Sequence, residues 1–401
     1  MRPLTVLLPV EEALSILLDA VHPVEETEEV RLTEAVGRVL AESVTSPHDV
    51  PPFDRAAMDG FALRAADATQ VPAALDCIEY LYAGAPGVCE VVSGTCSEIA
   101  TGAPVPPGAD AVVMVEQTTR AGPHGAERIE VLHAVRPGQH ITRRGSDICA
   151  GEQVLAAGTL LTPARVGALA AVGRCSARVY RRPRIAVGAT GNEIVPPGGP
   201  VAPGQIYDVN SYALHALFTS LGCEVEMLEH AIDDVAVIES RIRAGLHCDM
   251  VVLSGGSSVG EKDVLQDAFA HLGDILFHGI AIKPGKPTML ARIQGCPVVG
   301  MPGYPTSCLS NGYWFLAPAI DRIARRPPSR KTTVRARLTD GIASMADKHH
   351  LYTVRLCEGE AAAAFKESGA ITSMSRADGF VTIPVGVSGR AAGEEVEVTL
   401  L

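Results

Sequence analysis

The chain opens with apolar residues at helical spacing. Between residues 10 and 20, Leu14, Leu17 and Leu18 fall on one face of a helix. The segment "LTEAVGRVLAESV" repeats this spacing after Thr33, a residue type that commonly caps helices. The pattern therefore predicts two amphipathic helices near the start of the chain.

Short segments rich in β-branched residues follow, from about Phe53 to Arg144. Runs such as "AVVMVEQ" and "ERIEVLHAV" are separated by turns rich in Gly and Pro, as in "TGAPVPPGAD". We predict a β-rich insert domain at residues 53–144. It would interrupt a helical linker domain formed by residues 1–52 and 145–178, where "TPARVGALAAVG" again has a helical pattern.

Apolar runs of strand length alternate with helical patterns in the second half of the chain. Strands are predicted at "RIAVGAT", "EVEML", "MVVLSGG" and "VVGM", and helices at "YALHALFTSLG", "VAVIESRIRAGL", "DVLQDAFAHLG" and "SCLSNGYWFLAPAIDRIA". This alternation predicts a doubly wound α/β domain with an open, mostly parallel sheet at residues 179–326. Residues 327–401 return to strands and turns, which predicts a small C-terminal β-barrel-like domain. The expected fold class is multidomain α/β plus β.

Composition and charge exclude several classes of function. The formal net charge is −12, so the chain lacks the positive field that would attract nucleic acid or an anionic membrane. The ten cysteines include no C-x-x-C pair, which argues against a zinc site and a disulfide framework. Pro9, Glu11 and Glu12 interrupt the apolar start, and no later apolar run approaches membrane-spanning length. We expect a cytoplasmic protein with reduced cysteines.

Four loops of the predicted α/β domain carry residues suited to ligand binding. In an open α/β sheet, a ligand binds where loops leave the carboxyl ends of the strands. The loops are "ATGNE" at 189–193, "SGGSSVGEKD" at 254–263, "KPGKP" at 283–287 and "MPGYPTS" at 301–307.

The glycine-rich loop is a candidate anion cradle. Its glycines allow close approach of the backbone, and its serines add hydroxyl groups. The residues concerned are Ser254, Gly255, Gly256, Ser257, Ser258 and Gly260. An ordinary flexible connection is the alternative, because the loop matches neither a Walker A motif nor G-x-G-x-x-G.

Two proline-containing loops present further candidate groups. Lys283 and Lys286 each precede a proline, which restricts the backbone and suits both lysines to hold one phosphate. In "MPGYPTS", Pro302 and Pro305 lead into a helix for which Thr306 or Ser307 is the predicted N-cap, and that helix end could receive an anionic or carbonyl group. The alternatives are an exposed turn with two solvated lysines and an ordinary capped helix.

Carboxylates complete the candidate chemistry. Glu193, Asp208 and Asp263 lie in or near these loops, and Asp59 lies far upstream in "PPFDRAAMDG". Carboxylates beside lysines suit divalent-cation binding or proton transfer. Each carboxylate taken alone could instead be a cap or turn residue, and Asp59 before Gly60 is a good turn former.

Eight segments, taken in order, resemble the motifs of the molybdopterin molybdenumtransferase family, which comprises the MoeA and gephyrin E-domain proteins. They are "PPFDRAAMDGFALR", "TGAPVPPGADAVVMVEQ", "RRGSDI", "ATGNEIV", "YDVNSYAL", "SGGSSVGEKD", "KPGKPTML" and "GMPGYPTSCL". The resemblance implies an elongated homodimer with four domains per chain. It also implies a reaction in which molybdate replaces the adenylyl group of adenylylated molybdopterin and AMP leaves, with Mg²⁺ assisting.

The resemblance also implies roles for the candidate residues of the α/β domain. Lys283 and Lys286 would hold a phosphate or oxyanion, and the loop from Ser254 to Gly260 would wrap the ligand. The implied substrate-binding residues are Thr101, Ser254, Gly255, Gly256, Ser258, Lys283, Lys286, Pro302, Pro305 and Ser307.

Three carboxylates take catalytic roles under the same resemblance. Glu193 and Asp263 would handle the metal cation or the hydrolytic water. Asp59 would be a catalytic carboxylate delivered to the α/β pocket of the partner subunit. The implied partners are a second copy of the chain, an upstream molybdopterin adenylyltransferase and downstream molybdoenzymes.

Departures from the family pattern leave other readings open. Asn192 stands where the family usually has Asp, Tyr304 stands where it commonly has Asn, and "DKHHLYTVRL" matches loosely. A pterin or oxyanion carrier or sensor with the same fold is one alternative. A tungsten-inserting paralogue is a second, and a pterin adenylyltransferase, which would not need the N-terminal half, is a third.

Overall fold

The computed structural model describes residues 7–121, 127–255, 263–328 and 331–401, which divide into two units. One unit takes its described residues from Met1–Glu29, Gly37–Ala41 and Arg178–Leu401, and the other from Val30–Val36 and Glu42–Ala177. Within these described ranges, every helix is too short or too polar to cross a bilayer.

A six-stranded sheet forms the centre of the first unit. Its order is Glu224–Met227, Arg184–Ala189, Met250–Ser254, Cys296–Met301, Met289–Ile293 and Asp274–His278. The first four strands pair in parallel, and Met289–Ile293 alone runs in the opposite direction, so it pairs antiparallel with both of its neighbours. The inner parallel strands are buried almost throughout, because helices cover both faces of the sheet. The prediction of a doubly wound, mostly parallel sheet is confirmed.

Helices pack on both faces of this sheet. One face carries Val10–Ala20, Asn210–Ser220 and a continuous segment made of Pro305–Asn311, the π-helical Gly312–Leu316 and Ala317–Ile323. The other face carries Val235–Gly245 and Val264–Leu272. Each face therefore encloses its own apolar core.

The C-terminal strands close into a five-stranded barrel. Around it the order is His349–Cys357, Glu360–Ala363, Thr333–Leu338, Glu395–Leu400 and Gly379–Ile383, which pairs again with the first strand. The short strand Ile282–Lys283 pairs in parallel with His349–Cys357 and so ties a loop of the α/β domain to the barrel. The remaining elements of this unit are Ile194–Val195 with Ile206–Tyr207, Ile342–Ala343 with Gly389–Arg390, and the helix Thr372–Ser375.

The second unit is built on another six-stranded sheet. Its order is Ala111–Met114, Gly60–Leu63, Thr95–Ile99, Ala73–Leu81, Arg128–Val131 and Thr118–Ala121. Two short pairs, Val44–Thr45 with Gln153–Leu155 and Arg55–Ala56 with Ile141–Thr142, and the 3₁₀ turns Ala65–Ala68 and Val115–Gln117 complete its β-rich part. The helix Pro163–Ala171 begins where the Thr162 side chain accepts a hydrogen bond from the Arg165 amide. Two further strands of the chain are Thr27–Arg31 and Ser176–Tyr180.

One predicted helix is wrong. The segment "LTEAVGRVLAESV" forms only a 3₁₀ turn at Leu32–Glu34. Further along the segment, the backbone carbonyl of Val39 accepts from the Tyr180 amide (3.0 Å), and the Ala41 amide donates to the Arg178 carbonyl (2.9 Å). These long-range backbone bonds replace helical ones, so tertiary pairing overrides the local helical pattern.

Candidate functional site

Loops following three neighbouring parallel strands lie against one another at the carboxyl edge of the α/β sheet. The Gly255 amide donates to the Met301 carbonyl (3.2 Å), and the Thr190 amide donates to the Ser254 carbonyl (2.8 Å). A Cβ atom placed on Gly255 would lie 2.1 Å from the Thr190 carbonyl oxygen, so only glycine fits between these loops. The structure thus brings together "ATGNE", the start of "SGGSSVGEKD" and "MPGYPTS". Gly256 and Ser258 lie outside the described residues.

The side chain of Asn210 is hydrogen-bonded to two of these loops. Its buried side-chain amide donates to Ser254 Oγ (2.6 Å) and to the Gly303 carbonyl (2.8 Å). The residue begins the helix Asn210–Ser220. Asn210 was not predicted as a site residue, and its signal in the sequence was its place in the motif "YDVNSYAL".

The "KPGKP" loop lies at the same edge of the sheet. It precedes Met289, which pairs with Gly300 near the carboxyl end of the Cys296–Met301 strand. The Asn311 amide donates to the Gly285 carbonyl (3.0 Å) and to Thr288 Oγ1 (2.7 Å). The loop is therefore anchored to the helix that follows "MPGYPTS".

Both lysines of this loop flank its anchored glycine. Lys283 and Lys286 are each partly buried. Lys283 pairs across strands with His350, which is 2% exposed and whose Nε2 has no hydrogen-bond partner among the described residues. Burial, together with the charge of Lys283, lowers the pKa of His350 to about 4. His350 is therefore neutral near pH 7, and it is a polar group beside the lysines that the sequence analysis missed.

Replacing Gly285 by alanine is expected to damage the anchor of this loop. A Cβ atom there would lie 2.4 Å from Asn311 Nδ2, and Gly285 has a φ of +113°. Gly295→Ala is the matched control, because Gly295 also has a positive φ but has nothing within 4 Å of an added Cβ. We expect Gly285→Ala to lower the free energy of unfolding by about 1–3 kcal/mol more than Gly295→Ala does, which is the usual penalty of overpacking. Thermal unfolding of both variants measures this difference, and equal losses would show that Asn311 does not constrain the loop.

The loop "ATGNE" places one carboxylate at the edge and binds a second one. Glu193 is exposed, and its Oε2 lies 2.7 Å from a Cβ position on Gly191, so the carboxylate lies over the backbone of its own loop. The Asn192 amide donates to Asp233 Oδ2 (3.3 Å), and Asn192 Oδ1 accepts from the Asp233 amide (3.1 Å).

Asp233 is therefore a second carboxylate beside the candidate site, and it was not predicted from the sequence. The signal in the sequence was the pair of aspartates in "AIDDV". The two have different roles, because Asp234 caps the helix Val235–Gly245 by accepting from the Ala236 and Val237 amides (2.9 and 3.1 Å). Asp233 instead faces the loop that carries Glu193.

Asp263 and Asp208 both act as helix-capping residues. Asp263 is 5% exposed and its Oδ1 accepts from the Gln266 amide (3.0 Å), while its Oδ2 lies 3.8 Å from His278 Nε2. Burial lowers the pKa of His278, and the Asp263 charge opposes that shift. Asp208 Oδ1 accepts from the Ser211 amide (3.0 Å). The cap alternative is thus observed for both residues.

The predicted N-cap in "MPGYPTS" is wrong. The helix begins at Pro305, and Tyr304 precedes it without a side-chain cap. The Thr306 amide donates to the Ser368 carbonyl (3.0 Å), and its hydroxyl donates to the Ala370 carbonyl (2.8 Å), so Thr306 binds the C-terminal segment. Pro302 and Ser307 are buried and Pro305 is partly buried.

Asp59 lies in the second unit, immediately before the strand Gly60–Leu63. Its exposed carboxylate accepts two hydrogen bonds at Oδ1, from the Thr101 amide (2.6 Å) and the Thr101 hydroxyl (2.7 Å). These bonds lower the pKa of Asp59, the backbone bond most strongly, so the carboxylate is ionised. The Val115 amide also donates to the Asp59 carbonyl (3.1 Å).

A cavity of about 300 Å³ opens beside Asp59 within this unit. Its lining includes Asp59, Tyr80, Tyr82 and Glu98. A fixed, ionised carboxylate at the rim of a polar and aromatic cavity suits contact with a ligand.

Comparison with known proteins accounts for almost the whole chain. A family model described as "MoeA N-terminal region (domain I and II)" matches residues 8–173. One described as "Probable molybdopterin binding domain" matches residues 186–322, and one described as "MoeA C-terminal region (domain IV)" matches residues 335–401.

Curated relatives and solved structures agree with these matches. The chain is 35% identical over 384 residues to "Molybdopterin molybdenumtransferase 2" of Mycobacterium tuberculosis, covering 92% of this chain and 94% of the relative. It is 36% identical over 328 residues to "Molybdopterin molybdenumtransferase" of Haemophilus influenzae, covering 80% of each. The solved structure of the molybdopterin biosynthesis moeA protein from Pyrococcus horikoshii superposes with a TM-score of 0.85 at 34% identity, covering 99% of this chain and 100% of that one.

Proposed function

This chain belongs to the MoeA family of molybdopterin molybdenumtransferases, and on that premise we propose that it inserts molybdate-derived molybdenum into adenylylated molybdopterin and releases AMP. The protein is a transferase of molybdenum cofactor biosynthesis. Four loops meet at one edge of the sheet, and this convergence supports the proposed reaction. In one of these loops, Lys283 and Lys286 flank Gly285, whose carbonyl is bound by Asn311.

The lysines are the proposed anchor for the substrate's phosphate. A dianionic group placed between Lys283 and Lys286 would gain charge-assisted hydrogen bonds, each of about 1.5–3 kcal/mol. Because Asn311 anchors the backbone of this loop, less conformational entropy is lost when the lysines bind the phosphate. Ser254, Gly255, Pro302, Pro305 and Ser307 belong to the neighbouring loops, and we assign them to shaping the rest of this pocket.

Alanine at either lysine is expected to weaken binding of adenylylated molybdopterin by roughly 1–3 kcal/mol, because one charge-assisted bond is lost. Titration of the pterin into Lys283→Ala and Lys286→Ala measures the loss. Arg335→Ala is the control, since Arg335 is an exposed cation on the barrel whose partner is Glu395 (3.5 Å). Wild-type affinity in both lysine variants would remove the lysines from the site.

Carboxylates at the edge suit a hard divalent cation. Glu193 and the neighbouring Asp233 offer oxygen donors, and Mg²⁺ takes one or two carboxylates together with substrate phosphates. Glu193 is the first candidate ligand because its carboxylate is exposed. Asp263 fits less well, since its Oδ1 is engaged in the helix cap. When bound, Mg²⁺ would neutralise charge on the phosphates.

Asp59 is proposed to act in a homodimer, at the α/β site of the partner subunit. Thr101 holds its carboxylate ionised and fixed, which suits it to orient a water molecule by accepting one of the water's protons in a hydrogen bond. Thr101 would then line the same site and serve mainly to position Asp59. The chemistry of the reaction also requires partners: an adenylyl-transferring enzyme that supplies the substrate, and molybdoenzymes that accept the product. We propose that this exchange takes place in the cytoplasm.

Molybdate-dependent release of AMP tests the proposed function. Adenylylated molybdopterin is bound to the protein, molybdate or tungstate is added, and free AMP is measured. The proposal expects AMP release with molybdate, and faster release with tungstate would instead identify a tungsten-inserting enzyme. Retention of the intact adenylylated pterin with both oxyanions would identify a carrier or sensor.

A further inference from the structure

Three side chains of different metal-ligand chemistry meet at the edge of the α/β sheet opposite to the loops described above. Glu226 lies on the edge strand Glu224–Met227, and His247 and Cys248 precede the strand Met250–Ser254. His247 Nε2 lies 2.8 Å from Glu226 Oε2, and Cys248 Sγ lies 3.7 Å from His247 Nε2 and 4.0 Å from Glu226 Oε2. A carboxylate, an imidazole and a thiol thus converge on one point.

The second ring nitrogen of His247 determines what Nε2 can do. His247 Nδ1 lies 2.9 Å from the Ala244 carbonyl oxygen, which can only accept a hydrogen bond, so Nδ1 carries a proton. In the neutral ring, the Nε2 lone pair then points at a carboxylate oxygen only 2.8 Å away. Two electron-rich atoms at this distance need a proton or a metal cation between them. A backbone carbonyl on the second ring nitrogen is also the usual way in which a metal-binding histidine is oriented.

The spacing of the three atoms suits a tetrahedral ion. Zinc bond lengths of about 2.0–2.3 Å place the donor atoms of a tetrahedral site roughly 3.3–3.6 Å apart. The three separations, 2.8, 3.7 and 4.0 Å, bracket this range. The buried Cys248 is fixed, whereas the side chains of Glu226 and His247 are 48% and 58% exposed. The two exposed ligands can therefore adjust, and water can reach a fourth position.

We propose that Glu226, His247 and Cys248 form a binding site for a borderline divalent metal ion, for which Zn²⁺ is the best match. A thiolate with an imidazole selects zinc over magnesium, which prefers oxygen ligands only. Binding forms the sulfur–metal and nitrogen–metal bonds and releases to solvent the thiol proton, together with any proton held between His247 Nε2 and Glu226 Oε2 in the metal-free protein. The ion ties the edge strand to the turn after the helix Val235–Gly245.

The sequence alone argued against a zinc site because it lacks C-x-x-C spacing. The ligands proposed here do not follow that spacing, because the carboxylate lies 21 residues before the histidine. Only the parallel pairing of the strands brings Glu226 beside the adjacent His247 and Cys248.

Titration of the chelator-stripped full chain with Co²⁺, followed by displacement with Zn²⁺, tests the site. Wild type should bind one Co²⁺ per chain with a thiolate-to-cobalt charge-transfer band, and Zn²⁺ should abolish that band. His247→Ala and Cys248→Ala should each lose at least about 10–100-fold in affinity, the loss typical even for a group that only supports a ligand. His271→Ala is the matched control, because His271 pairs with Glu239 at 3.1 Å and no cysteine of the described part of the chain completes a ligand set with them.

The unfolding temperature with and without Zn²⁺ is a second measurement, and it distinguishes loss of metal binding from poor folding of a variant. Glu226→Gln keeps the size of an exposed side chain and removes only its charge. Zn²⁺ should raise the unfolding temperature of wild type and of His271→Ala, but not that of Glu226→Gln. Absence of the charge-transfer band in wild type, or equal affinity in the ligand variants and the control, would overturn the proposal and leave a surface His–Glu ion pair beside a buried thiol. Neither result depends on pterin or molybdate.

Discussion

Glu193→Gln is expected to reduce AMP release by on the order of 10²–10⁴-fold, the usual loss when a catalytic acid or base is removed. The side chain keeps its size, and its carboxylate is exposed over the Gly191 backbone, so the fold should survive the change. The two lysines proposed to bind the substrate's phosphate, Lys283 and Lys286, are unchanged in this variant. The variant should therefore retain the adenylylated pterin, and mass analysis of the purified protein should show that intermediate.

The matched control for this change is Glu224→Gln. Glu224 is an exposed glutamate in the same domain, it pairs with Arg184 (3.3 Å), and it begins its strand at the opposite edge of the sheet. Its loss should leave AMP release near wild type. Normal turnover in Glu193→Gln would remove Glu193 from the mechanism and would turn attention to Asp233, the other carboxylate beside that loop.

Asp59→Asn and Glu193→Gln subunits are expected to complement each other when mixed. Asp59→Asn keeps an oxygen that can accept from the Thr101 amide and hydroxyl, so the local turn should persist while the charge is lost. Each homodimer should be inactive. If Asp59 serves the site of the partner subunit, one site of the mixed dimer is wild type and the other carries both substitutions. Random exchange makes about half of the dimers mixed, so about a quarter of wild-type activity should return.

Asp67→Asn is the control for the Asp59 variant. Asp67, in the 3₁₀ turn Ala65–Ala68, also accepts two hydrogen bonds from a separate turn, from the Ser93 hydroxyl (2.9 Å) and the Gly94 amide (3.2 Å), and its change should leave activity intact. Subunit exchange is verified with differently tagged chains. If exchange occurs and activity stays at the level of the separate variants, Asp59 and Glu193 serve the same chain's site and the cross-subunit proposal is wrong.

The parts of the fold that the sequence predicted are those in which local pattern and tertiary environment agree. The strands Arg184–Ala189 and Met250–Ser254 were predictable because both are apolar runs of strand length buried between two helical layers. The second helix failed because Val39 and Ala41 pair with residues more than a hundred positions away, which no local window contains. The strands Asp274–His278 and Met289–Ile293 were missed because each is only five residues long, and so short an apolar run has no clear period that identifies it as a strand.

At the candidate site too, some residues could be predicted from the local sequence and others depend on long-range contacts. Residues that bear charge and follow strands, such as Glu193 and Lys283, could be proposed for the site from their type and position, and their roles stay predictions. Asn210 and Asn311 could not, because an asparagine becomes important only through the distant carbonyl or hydroxyl that it binds. Asp233 was hidden beside Asp234, since the sequence does not reveal which of the two caps the helix.

A single-turnover reaction shows whether molybdenum insertion and AMP release are one reaction of this protein. The purified chain is loaded with adenylylated molybdopterin, molybdate is added, and AMP and pterin-bound molybdenum are measured in the same sample, with sulfate as the control oxyanion. The account predicts one AMP released for each molybdenum atom bound to the pterin, with molybdate only. Binding of the adenylylated pterin followed by no release of AMP, or release that sulfate supports equally well, would contradict it.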